Sequence, residues 1–248
     1  YNDGDDARFS HVTASIFSAA EYNAAVFNYG TDVVMEFMTA AAGGATHENR
    51  GLVDGGTGLR ITNARVSGLA GGSNSTGLEL FGGGTFVSDV HVVARNATAF
   101  TWAVFNAASY VVFTNLTATA SSTHGGQQIG VYGDREPARF ENSHVAAEDA
   151  VVLDISTSSA DLRFDRSTLD GSRYGLVIDV HGSALFVDVF VNHCKIRGPT
   201  NSIKVSGPDL NVGGSQLAGG AVSNLGGGTT TCAGVWDESY TFYPSTCP

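Results

Sequence analysis

The chain has 248 residues, 24 of them acidic and 13 basic, for a net charge of −11. That balance repels a phosphate backbone and an anionic membrane surface, so neither nucleic acid nor such a surface is expected as a partner. Apolar residues make up 42%, which excludes a disordered chain, and 32 glycines beside 5 prolines exclude collagen while demanding many tight turns.

The most apolar stretch, residues 174–191, is interrupted by Asp179, His181 and Asp188 and is no membrane span. The chain opens mid-pattern at Tyr1 without a leader, as expected of a mature form or an excised domain.

A repeat organises most of the sequence. Its first pattern reads apolar, any, apolar, any, Asn or Asp, two more, apolar, any, Gly or Ala. It is clearest in LRITNARVSG (59–68) and returns in TFVSDVHVVA (85–94), VVFTNLTATA (111–120), ARFENSHVAA (138–147), LRFDRSTLDG (162–171) and VFVNHCKIRG (189–198). Looser copies are ARFSHVTASI (7–16), VVMEFMTAAA (33–42) and LNVGGSQLAG (210–219). The second apolar position falls at Phe9, Met35, Ile61, Val87, Phe113, Phe140, Phe164, Val191 and Val212, at gaps of 21 to 27 residues.

A second pattern lies between these copies: a small residue followed by an apolar, any, apolar triplet. Its small residue recurs at Ala25, Gly51, Gly77, Ala103, Gly130, Ala150, Gly175 and Ser202. Two independent markers thus share one period near 25. Each repeat holds two or three segments of three to five residues that alternate with period two and are rich in Val, Ile, Phe and Thr, which favours strands. Gly-rich turns such as FGGGT (81–85) separate them. A leucine-rich repeat would need its own consensus, and a left-handed β-helix needs six-residue sub-repeats. Neither is visible. The expected fold is all-β, a right-handed parallel β-helix over residues 1–220 with a capping tail over 221–248. About nine coils stacked at the strand spacing give a rod roughly 43 Å long.

The Asn/Asp position of the first pattern holds His11, Phe37, Asn63, Asp89, Asn115, Asn142, Arg166, His193 and Gly214. Asn and Asp tolerate the left-handed backbone region, so a turn carrying a stacked Asn63–Asp89–Asn115–Asn142 ladder is expected there.

In the tail, Cys232 and Cys247 flank an aromatic segment with Trp236, Tyr240, Phe242 and Tyr243. They are expected to pair, closing a loop of about 15 residues worth roughly 3 kcal/mol, and to cover the open edge of the last coil. A disulfide implies an oxidising compartment, hence secretion or surface display. Cys194 sits in a strand pattern and is expected to be a free, buried thiol. No CxxC spacing supports a zinc site, and no cofactor is expected.

The repeats and this ending resemble bacterial secreted or surface right-handed parallel β-helix repeat proteins. In that group, coils carrying Gly-apolar-aromatic-Asn lead to SQL-x-GG and then a Cys…Gly-Val-aromatic-Asp…Cys-Pro tail. Here the matching residues are AVFN (25–28 and 103–106), GGSQLAGGAV (213–222) and CAGVWDESYTFYPSTCP (232–248). The resemblance implies a long secreted or surface fibre and brings no catalytic residues with it.

Wide β-helices also host polysaccharide-cleaving enzymes. The Asn-Thr-Asp, Asp-Asp, Gly-His-Gly and Arg-Ile-Lys motifs of pectin-hydrolysing β-helix glycosidases are missing; KIR (195–197) reverses the last, and AEDAVVLD (147–154) lacks the Asp pair. A lyase-like site needs a calcium-binding carboxylate cluster and a basic proton acceptor. The two lysines, Lys195 and Lys204, have no acidic cluster beside them in sequence. One constellation has the right chemistry: Asp154 and Asp179 at matching points of adjacent coils, with His181 two residues on. Stacked about 5 Å apart, the carboxylates suit a retaining glycosidase pair or two ligands for a hard cation. The competing reading is a solvated stripe with Asp54, Asn28 and Asn106 at comparable positions.

The remaining candidates are scattered. His47 and His124 lie in Gly-rich loops, and His91 and His144 are two coils apart, too far to share a metal. The insertion YGDREPARF (132–140) reads as a local salt-bridged loop around Asp134, Arg135 and Glu136. Loops AGGATHEN (42–49), GGSNST (71–76), RNATAFTW (95–102) and SSTHGGQQ (122–129) would align along one side, with Trp102 either a glycan-stacking anchor or buried beneath them. The expected function is a non-catalytic structural or adhesive fibre segment, extracellular or at the cell surface, whose partners are further copies of itself or surface glycans. The alternatives are a polysaccharide lyase or glycoside hydrolase using Asp154, Asp179 and His181, and a rod stabilised by calcium on Asp154 and Asp179.

Overall fold

A computed structural model describes residues 1–18, 21–69, 72–134, 138–156, 159–181 and 186–248. Among these residues, 26 strands hydrogen-bond into one continuous sheet, and there is no helix. All strand pairs are parallel except Val235–Trp236 with Phe242–Tyr243. Each circuit of the chain lays successive strands onto the circuit before, so the sheet wraps into three walls around one core: an all-β parallel solenoid.

The first wall carries the first marker. Phe9, Met35, Ile61, Val87, Phe113, Phe140, Phe164, Val191 and Val212 pair in unbroken register. Parallel in-register stacking sets each position above its counterpart, so like side chains pile into columns. The rings of Phe113, Phe140 and Phe164 stack with centroids 5.0 Å apart at both steps, close to the spacing of about 4.8 Å between strands. All three are fully buried.

One residue turns the chain from the first wall to the second. At His11, Phe37, Asn63, Asp89, Asn115, Asn142, Arg166, His193 and Gly214, φ lies between 48° and 57°. The expected left-handed corner is therefore present at every one of the nine positions. Stacking along the corner offsets its backbone cost. Asn115 donates to Asp89 at 2.8 Å, Arg166 Nε donates to Asn142 at 2.9 Å, and the rings of His11 and Phe37 stack at 4.8 Å.

The second marker belongs to the entry of the third wall. A Cβ on Gly77 would lie 2.3 Å from Val92 Cγ1 and 2.7 Å from the carbonyl of Ala103, so the position must stay small. Gly82, in the turn back to the first wall, is closer still: its Cβ would fall 1.2 Å from the carbonyl of Gly56.

Several strands exceed the expected three to five residues. Arg60–Leu69 and Phe86–Arg95 have 10 residues, His144–Ile155 has 12 and Thr168–Val180 has 13. A single left-handed residue, or the register shift between Ala147 and Asp149, bends the chain without releasing the pairing. The loops between the second and third walls do align: Asn74 N donates to His47 O at 2.8 Å, and Gln127 N to Ala99 O at 2.8 Å.

Past residue 220 the sequence pattern fades, yet Ser223–Leu225 and Thr230–Ala233 still pair in parallel with the coil before them. Cys232 and Cys247 form a disulfide with Cα atoms 5.4 Å apart. Asp237 ties the segment together, accepting from Ser239 N at 2.8 Å, Thr241 N at 2.9 Å and the Tyr243 hydroxyl at 3.1 Å. These bonds hold its carboxyl below the usual range. Cys194 is buried and free, and burial pushes its thiol up to about 11, which leaves it unreactive.

Candidate functional site

The third wall includes Glu48–Asp54, Asn74–Leu80, Phe100–Asn106, Gln127–Asp134 and the second halves of His144–Ile155 and Thr168–Val180. Leu52, Leu78, Val104 and Val131 point into the core. Alternation turns the next residue outward, giving Val53, Glu79, Phe105 and Tyr132 in register. A neighbouring outward row holds Arg50, Thr76, Trp102 and Ile129.

These rows assemble an aromatic platform. Trp102 lies 5.1 Å from Phe100, 5.2 Å from Phe105 and 5.5 Å from Tyr132, centroid to centroid. Phe105 is 5.8 Å from both Tyr132 and Phe81. Trp102 is half-buried by these rings on the outer surface of the wall. Its indole Nε1 is buried without a partner.

A polar cluster flanks the platform on the N-terminal side. Arg50 pairs with Glu48, and its Nε lies 3.1 Å from Glu79; Asn74 donates to Glu48 at 3.2 Å. Glu79 is only 6% exposed, in register with Phe105. Burial raises its pKa, Arg50 lowers it, and Glu48 raises it further.

A carboxylate ladder flanks the other side. Asp154 and Asp179 stand in register on adjacent coils, as their spacing implies. Asp134 joins them, in register with Asp154. The insertion at 132–140 disturbs the period just there, which hides this residue from a reading by spacing. His181 lies just past the strand that ends at Val180, and its Nε2 reaches Asp154 at 3.4 Å, with side chains 65% and 40% exposed. Burial, then Asp154 and Asp134, raise the pKa of the Tyr132 hydroxyl, so ladder and platform share one electrostatic environment.

Asp54, Asn28 and Asn106 do not share a solvated stripe with Asp154 and Asp179. These three are buried at 0–1% exposure and face the core. The pairing sets Asp54 beside Leu80, Leu80 beside Asn106, and Leu153 beside Ile178. Asp154 and Asp179 stand one residue further along their strands, on the opposite face.

The ladder can accept hydroxyl hydrogens, attract a cation or handle protons. Two carboxylates one coil apart match the short separation, about 5 Å, of a retaining glycosidase pair. Asp154 and Asp179 are the ladder's candidate metal ligands, but among the described residues no group of three or more His, Cys, Asp or Glu is arranged to hold a metal ion. His91 and His144 are separated by the rung of Thr117, two coils apart. His47 lies 3.7 Å from Glu21 at the surface, and His124 is an exposed loop residue. Arg135 and Glu136 lie outside the described residues.

No family model matches the sequence, and no curated protein matches it in sequence. Among solved structures, the fold is similar to the crystal structure of pectate lyase Pel9A, with a TM-score of 0.56 and 12% identity. The match spans 92% of this chain and 68% of that one. At this identity the likeness is one of fold, and it sets the chain in the class of parallel β-helices.

Proposed function

We propose that this protein is an extracellular, non-catalytic adhesive β-solenoid that holds a glycan on the platform around Trp102. The observation behind this reading is the contiguous group Phe100, Trp102, Phe105 and Tyr132 on an outer wall, with Phe100 39% exposed. Sugar rings stack their C–H faces on such side chains, and strand-borne rings are already ordered, so little entropy is lost on binding. The Cys232–Cys247 disulfide supports an oxidising compartment. Electrophoresis through gels carrying neutral polysaccharides tests the reading. The native protein is expected to be retarded by at least one of them, and Trp102→Ala to lose most of that retardation while keeping its circular dichroism. A variant retarded as strongly as the native protein would end it.

A second reading is a polysaccharide lyase or hydrolase working at Asp154, Asp179 and His181. The His181–Asp154 contact within the carboxylate ladder favours it, as does the fold shared with a pectate lyase. New reducing ends or unsaturated products that disappear in Asp154→Asn/Asp179→Asn would establish this reading. The calcium-stabilised rod predicts a lower melting temperature in the presence of chelator.

A further inference from the structure

The second wall turns a different chemistry to solvent. One outward row runs Arg65, His91, Thr117, His144, Thr168 and Lys195 in unbroken register. Two residues along each strand, a parallel row begins Ser67, Val93, Thr119 and Ala146. Those smaller side chains leave an open groove of about 410 Å³ along Thr39, Arg65, Ser67, His91 and Val93.

Most basic residues of the molecule are already engaged. Arg8, Arg50, Arg139, Arg163, Arg166, Arg173 and Arg197 each pair with a carboxylate. Arg60 lies over the ring of Phe86, and Lys204 over that of Tyr174. Among the described residues, the cations with neither an acid nor a ring are Arg65, Arg95 and Lys195, and all three stand on the second wall. The acids along its outward rows are engaged: Asp170 by Arg197 at 3.5 Å and Glu148 by Arg173 at 3.4 Å. At the corner, Asp89 is engaged by Ser88 and Asn115. A protein of net charge −11 thus leaves three cations unpaired along one wall, and Arg65, at one end of that line, borders the groove.

We propose that this wall binds a linear acidic polysaccharide lying along the solenoid axis. Arg65 and Lys195 stand five coil steps apart, about 24 Å at the strand spacing, which is a polymer's reach. Thr117 and Thr168 fall between them and supply hydroxyls to sugar hydroxyls. Few, well-separated cations suit a chain whose charges are spread over sugar units, whereas the overall acidity opposes the dense charge of a nucleic acid. The proposal stands apart from the Trp102 platform.

The test is affinity electrophoresis at about 0.01 M ionic strength, where charges act over about 30 Å, and again at about 0.15 M, where they act over about 8 Å. The gels carry polygalacturonate, chondroitin sulfate, dextran or single-stranded DNA. The native protein is expected to be retarded by polygalacturonate or chondroitin sulfate, which separates carboxylate from sulfate recognition, and to be released at the higher salt. Arg65→Gln/Arg95→Gln/Lys195→Gln should weaken the retardation at least tenfold, and Arg65→Glu alone should weaken it too, both with unchanged circular dichroism. Trp102→Ala should retain it. No retardation by either acidic glycan would overturn the proposal, as would a triple variant that binds like the native protein. Retardation lost only in Trp102→Ala would move the acidic glycan to the platform. DNA bound more tightly than both glycans would replace the ligand class.

Discussion

Replacing Asp54 with Asn should make the protein more stable at neutral pH and should remove a pH dependence. Asp54 is fully buried. Its Oδ1 accepts from Asn28 Nδ2 at 2.7 Å and Gly56 N at 3.2 Å, but its Oδ2 has no partner. Burial outweighs the two hydrogen bonds and raises the carboxyl from its ordinary 3.8 to about 6. Between those two values the folded chain binds more protons than the unfolded one, so stability falls as pH rises through the window. At about 1.4 kcal/mol per pH unit, integrated between the two titrations, ionised Asp54 costs the fold about 2 kcal/mol at pH 7 relative to pH 4. Asn keeps the acceptor for Asn28 and Gly56 and carries no charge. Unfolding free energies from denaturant titrations, taken at steps from pH 4 to pH 7, measure the effect. The advantage of Asp54→Asn should grow by about 2 kcal/mol across the series. Carboxyls held below their usual range, Asp89, Asp209 and Asp237, act in the opposite direction but equally in both proteins, so they cancel. A difference that stays constant over the range would refute the reasoning.

The column of rings makes Phe140→Ala costly, because Phe140 is stacked from both sides and fully buried; denaturant titration should show a loss of about 3–5 kcal/mol. At the left-handed corner, Asn115→Val should destabilise by about 1–2 kcal/mol. Asn115→Gly should cost less, since glycine already occupies that corner at Gly214. Reducing the Cys232–Cys247 disulfide should remove about 3 kcal/mol, read as a lower melting temperature in the presence of reductant.

The register was legible in the sequence because in-register stacking repeats one environment per coil. A column from Phe9 to Val212 must stay apolar, and a corner from His11 to Gly214 must accept a positive φ, whatever the loops between them do. The small-residue marker was legible for a related reason, since Val92 leaves Gly77 no room for a side chain. The facing of strand ends was not. Asp54 and Asp154 share a residue type and a place near the end of their strands, yet a one-residue offset sends them to opposite faces. Their company held the signal: Asp54 shares its row with Leu80, whereas the residue before Asp154 is the buried Leu153. The platform was legible only at Trp102. Phe105 and Tyr132 each follow a core valine, Val104 and Val131, so alternation alone turns them outward beside it.

A solenoid also constrains the kind of partner its surface can select. Every outward position recurs at about the strand spacing, so chemistry placed on one wall becomes a line rather than a pocket. A small ligand would engage one or two rungs of such a line and gain little from the rest. A linear polymer gains from each rung in turn, and rungs held by a hydrogen-bonded sheet need no ordering when it docks. The sorting of charge follows from the same geometry. Carboxylates line up on the third wall as Asp134–Asp154–Asp179 and on the first as Asp161–Asp188–Asp209, while the unpaired cations stand on the second. Mixed along one wall, those charges would pair with neighbours a coil away, as Arg166 does with Glu141 and Arg197 with Asp170. Where no acid stands a coil away, as at Arg65, Arg95 and Lys195, the cation stays free for an extended anionic chain.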